Sequence, residues 1–154
     1  MSAVHIAIYL GMITDAERTL ASSWRKVADG HAAEADVHHL GHLLAGQCDA
    51  HVDALAPLVS RYGTQPDAEP ERLAAQGLAE VRSGPVGLLR DLQDLYLLAS
   101  FVDITWTLLG QAGQAVRDTE LLSVVGRCDK QTAVQLSWLR TRLTQAAPQA
   151  LVAG

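Results

Sequence analysis

Cysteine is nearly absent from this chain: among 154 residues only Cys48 and Cys128 occur. A disulfide framework is therefore excluded, and two thiols without secretory context read as reduced side chains in a cytoplasm. Aromatic residues are few, and basic residues are scattered through a chain of net charge −5. No basic stripe exists for nucleic acid to follow, so no nucleic-acid partner is expected. No run of about eighteen uncharged apolar residues occurs, so no membrane span is expected either. The opening segment, Met1 to Met12, has no Lys or Arg before its apolar run and makes a poor signal peptide. The expectation is a cytoplasmic protein. What the chain does have is apolar content, 49% of its residues, in a length that buries one core without disulfides or metal.

A short repeat is the most informative positive feature. Gly46-Gln47-Cys48-Asp49 recurs as Gly126-Arg127-Cys128-Asp129, each followed two residues later by a side chain able to bind hydrogen or metal, His51 or Gln131. Such internal similarity suggests two related helical hairpins around a shared centre. Ile6, Leu10, Ile13, Glu17, Leu20, Trp24 and Val27 follow a four-three spacing, the seam of a bundle helix that Asp29-Gly30 should stop. Val37, Leu40, Leu44, Gln47, His51, Ala54 and Leu58 form a second seam ending at Arg61-Tyr62-Gly63. A short turn makes these two helices antiparallel.

Proline and acidic residues from Gly63 to Pro70 mark a loop, and Glu71 to Val81 reads as a short helix inside a long crossover. The third helix, Val86 to Arg117, carries Leu88, Leu92, Leu95, Ala99, Val102, Trp106 and Leu109 inward. Its outer side is apolar too, through Leu97, Leu98, Phe101, Ile104 and Leu108, which implies cover by another chain or by the crossover. Asp118 caps a fourth helix with Leu121, Val125, Cys128, Thr132, Gln135 and Leu139 on its seam. The predicted fold is all-α, an antiparallel four-helix bundle of two hairpins joined by a long crossover, in one domain over 1–147. Residues 148–154 read as a flexible tail beginning at Pro148.

Polar residues on the inner seams mark the candidate site. Glu17 is open to two readings: a buried carboxylate that must be paired, protonated or metal-bound, or an edge residue reaching water, Arg18 or His42. His51 lies within about 40° of Leu40, Leu44, Leu55 and Leu58 on a helical wheel and points inward, as a core residue or a ligand. Cys48 and Cys128 are inward too, as small core residues or as soft ligands. His38 and His42 have the i, i+4 spacing of a metal clamp, but with His31 they fall on the opposite, outer face of the second helix. Asp91 and Asp94 also read as outward, and Asp103 alone among the third helix's carboxylates could reach the core.

The pattern resembles the ferritin-like superfamily over about Val4 to Ala147, a bundle of two hairpins with a long crossover that holds two irons. Its ligands are a Glu, a Glu-x-x-His, a second Glu and a second Glu-x-x-His on successive helices. By that resemblance Glu17 matches the first Glu and His51 the histidine of the second helix. Cys48 stands where the family has Glu, Asp103 is a shorter stand-in on the third helix, and Cys128 and Gln131 replace both members of the last pair. Hard iron ions need the missing carboxylates, so the resemblance implies the fold without oxidase or iron-storage activity. The leading expectation is a binding or scaffolding protein, a homodimer through the third helix, with no cofactor. The alternative is a metal-binding or redox protein whose reworked site of Glu17, Cys48, His51 and Cys128 takes zinc, copper or iron. A small-molecule carrier with a pocket between the helices is a third class. With the first turn centred near Gly30, Glu17 should lie opposite Leu43 or Leu44, about 10 Å short of His51 along the axis.

Overall fold

The computed structural model describes residues 3–63 and 76–153. Four long helices account for most of them: α1 (Val4–Gly30), α2 (Ala35–Tyr62), α3 (Gly84–Val116) and α4 (Thr119–Pro148). No strand occurs among the described residues. The predicted all-α four-helix bundle is what the chain forms. Helix α1 packs on α2 and α3, and α4 packs on the same two, so the helices stand at the corners of a square.

Polar pairs at the ends fix the directions. Arg61 at the end of α2 binds Asp118 at the start of α4 (2.8 Å), and Arg142 near the end of α4 binds Asp36 at the start of α2 (2.7 Å). His31, just past α1, binds Asp91 near the start of α3 (2.7 Å). Neighbouring helices are therefore antiparallel. The link from α2 to α3 must run the whole length of the bundle, which makes it the predicted long crossover. Its described portion, 76–83, lies along α1: Lys26 Nζ donates to the Leu78 carbonyl (3.0 Å), and Leu78 itself is buried. That portion is not helical. The short helix expected over Glu71 to Val81 is therefore absent from 76–81, and its remainder lies outside the described residues.

Helices α3 and α4 bury every residue of their expected seams, whereas Ile6 of α1 and Leu40, Gln47 and Ala54 of α2 are half-buried. Leu10, Ile13, Leu20 and Trp24 of α1 are fully buried, as are Leu55 and Leu58 of α2, Leu92, Leu95 and Trp106 of α3, and Leu121 and Leu139 of α4. Each contributes about 1.5–3 kcal/mol relative to exposure. Helix α3 is long and apolar enough by length and composition to cross a membrane; here its inner face is part of the bundle core. Asp118 caps α4 as expected, its side chain accepting from the Leu121 amide (3.0 Å).

Two boundaries differ from expectation. Gly30 does not stop α1 in a left-handed conformation; it is the last helical residue, and the turn occupies 31–34. Its missing side chain serves packing instead, since a Cβ there would sit 2.6 Å from Val81 Cγ2. Pro148 does not begin a loose tail. The chain continues as one wider π turn, Gln149–Ala153, with Ala150 buried against Leu89 and Ala146. A wider turn suits a helix whose proline lacks the amide for a regular bond.

Candidate functional site

The four helices bring Glu17, His51, Trp106 and Gln131 into one chain of hydrogen bonds. Glu17 from α1 and His51 from α2 meet directly, Oε2 to Nδ1 at 2.6 Å, and both are buried. The expected 10 Å offset is wrong: Glu17 faces His51, so the hairpin's register is centred on residue 34 rather than 30, the turn itself occupying 31–34. A shift of four residues in that centre moves the facing register by eight, roughly 12 Å at 1.5 Å per residue.

The far nitrogen of His51 lies 2.7 Å from Oε1 of Gln131 on α4, and Trp106 Nε1 on α3 donates to Glu17 Oε2 at 3.1 Å. All four helices thus contribute one member. With Glu17 ionised and the Gln131 carbonyl accepting, both His51 nitrogens donate and the ring is an imidazolium. Burial disfavours that charge, but the hydrogen bond and negative charge of Glu17, helped by Gln131, outweigh it and raise the His51 pKa above its ordinary value. Glu17 Oε1 is buried with no hydrogen-bond partner.

The two thiols flank this chain. Both are buried and unpaired by disulfide. Burial, then the Glu17 charge, pushes Cys128 up to about 12 and Cys48 higher still. Both are protonated thiols, poor nucleophiles at neutral pH. Cys48 also touches a second polar link: Gln135 of α4 accepts from Trp24 Nε1 (3.1 Å) and donates to Gln47 Oε1 (3.3 Å) and weakly to Cys48 Sγ (3.7 Å).

A di-iron centre does not fit this donor set. Glu17 and His51 are spent on each other, and the positions opposite carry thiols and an amide where hard ions need carboxylates. Asp103 does not join them; it is half-buried against Asp129 of α4, and burial followed by that neighbouring carboxyl raises its pKa. Nor do Glu17, Cys48, His51 and Cys128 supply three donor atoms within 4.8 Å of one another; among the described residues Asp29, His38 and His42 do so.

Other polar positions depart from the sequence reading. His31 and Asp91 are buried rather than outward-facing. Asp91 accepts from the Arg82 amide (2.9 Å) and guanidinium (2.7 Å) as well as binding His31, because the crossover folds over the start of α3 and covers it. Asp94 is half-buried and shares Arg82 (2.9 Å). The tryptophans were legible as seam residues but not as donors. A buried indole N–H needs an acceptor, and Gln135 on the α4 seam was the available signal for Trp24.

The chain matches no family model, no curated protein and no solved structure.

Proposed function

We propose that this protein is a ferritin-like bundle without an intact di-iron centre, acting as a binding or scaffolding protein and, on the same reading, a cytoplasmic homodimer through α3. The supporting observation is the 2.6 Å contact between His51 and Glu17. A proton on the imidazole supplies the positive charge that neutralises the buried carboxylate, the task a metal ion performs in a metal-loaded core. Gln131 and Trp106 then pair the far nitrogen of His51 and Glu17 Oε2 without an ion, leaving Glu17 Oε1 unpaired.

Ferrous iron and oxygen test this reading. Protein purified without a histidine tag should show no fast iron oxidation and no stoichiometric uptake. A pair of irons bound per chain, with Glu17 and His51 as ligands, overturns it.

One observation favours the second reading, a reworked Cys/His metal or redox site. Glu17 Oε1 is buried without a partner, beside two thiols that feel its charge. Soft thiolates with an imidazole select zinc or copper. That site requires His51 to leave Glu17 or lose its proton, and the thiols to deprotonate. Metal analysis of the tag-free protein, with Cys48→Ser and Cys128→Ser as controls, separates the two readings.

A further inference from the structure

The polar chain in the core leaves out the histidines at the α1–α2 turn. Asp29, in the last turn of α1, meets His38 and His42 near the start of α2, and the three offer donor atoms all within 4.8 Å of one another. His42 Nε2 lies 2.7 Å from Asp29 Oδ1, and His38 Nδ1 lies 4.0 Å from the same oxygen. The histidines are four residues apart on one helix, so their rings stand one above the other. They meet edge to face with centroids 5.1 Å apart.

His38 is held in place. Its Nδ1 donates to the Ala28 carbonyl (2.9 Å) and is also the nitrogen 4.0 Å from Asp29 Oδ1, so coordination through it exchanges that hydrogen bond for the ion and leaves the ring hydrogen on Nε2.

We propose that Asp29, His38 and His42 form a site for a divalent transition-metal ion of the zinc type. Two imidazoles with one carboxylate suit zinc, copper or nickel, whereas magnesium and calcium ask for oxygen alone. Zinc takes nitrogen and carboxylate oxygen at roughly 2.0–2.2 Å in tetrahedral geometry, which sets neighbouring donors about 3.3 Å apart. The Asp29–His42 pair therefore opens by about half an ångström from its present 2.7 Å. Side chains this exposed move that far easily: 66% for Asp29 and 42% for His42. The ion takes the lone pair of His42 Nε2, and the hydrogen there is exchanged through solvent to Nδ1, so the ring stays a neutral imidazole. The fourth position faces solvent, open to water or to a donor from another molecule. The site ties the end of α1 to the start of α2, independently of the core.

Zinc titration of the reduced, tag-free chain against a chromophoric chelator tests this, read together with thermal melting. The wild type should bind one equivalent and melt at a higher temperature with zinc, and magnesium should do neither. His38→Ala and His42→Ala should each weaken binding by about 10–100-fold and remove the melting shift. His39→Ala should behave as wild type. The Cys48→Ser/Cys128→Ser chain should keep full affinity, which separates this site from a thiol site in the core. Copper(II) in the wild type should show nitrogen hyperfine structure that the His38→Ala/His42→Ala chain lacks. No uptake by the wild type, or wild-type affinity in the double histidine variant, overturns the proposal.

Discussion

Glu17 and His51 form an ion pair with no access to water, and such pairs behave asymmetrically under mutation. Removing one partner leaves a buried charge uncompensated and costs about 3–5 kcal/mol. Glu17→Gln should fall at the low end of that range, because His51 can shed its proton. His51→Gln strands a carboxylate already lacking one partner at Oε1 and should cost more. The Glu17→Gln/His51→Gln chain should lose less than the two single losses added, a coupling that urea unfolding of the four proteins measures. The pair also makes stability depend on pH. The folded-state pKa of His51 is raised from 6.5, so above that value the native state holds a proton the unfolded chain has released. Its contribution is fully present below 6.5 and is lost as pH rises through the raised value. His51→Gln should flatten that decline. An unchanged slope in this variant means that another group carries it.

At the scale of the helix, three glycines within otherwise similar sequence have opposite roles. A Cβ on Gly41 of α2 would lie 2.8 Å from Ala28 Cβ and 3.3 Å from the Trp24 carbonyl, so α1 and α2 approach closely only because the side chain is missing. Gly41→Ala should destabilise by about 1–3 kcal/mol through overpacking. Nothing lies within 4 Å of a Cβ on Gly46 or Gly126, the repeated glycines beside the cysteines. There alanine should stabilise by about 0.5–1 kcal/mol each, the gain in helix propensity. Thermal melting of the three single variants checks the signs. This contrast also bounds what the repeat meant. Its cysteines do share inward positions, but Asp49 pairs with Arg25 while Asp129 faces Asp103. The helices themselves were legible because seam spacing is a local property of sequence. The facing of Glu17 and His51 was not, since it depends on where a four-residue turn sits and an error there doubles along the hairpin. The burial of His31 and Asp91 was hidden for a different reason. What covers them is the crossover, whose path no helical periodicity records.

For the whole molecule, the open question is what meets the outer side of α3. Leu97, Ile104 and Leu108 are 64%, 52% and 48% exposed. The described crossover reaches only the near end of this stripe, beside Leu97, Leu98 and Phe101. Beyond it, Leu108 joins Ile6, Tyr9 and Ala112 in an apolar groove. A two-fold contact would bury the stripe twice, once from each protomer. Full burial gives about 1.5–3 kcal/mol per side chain, and these are roughly half buried already, so six of them give on the order of 5–9 kcal/mol. Association itself costs an estimated 4–15 kcal/mol. Those magnitudes exclude an obligate dimer and allow at most a weak one. For that weak dimer, light scattering should show a mass that rises with concentration from 16.5 kDa toward twice that value. Ile104→Glu with Leu108→Glu should hold the mass at one chain without lowering the melting temperature, because both side chains already face water. Phe101 is unsuited to this test, since it packs against the core. A wild type that stays at one chain's mass up to hundreds of micromolar removes the dimer and leaves the stripe to a different partner.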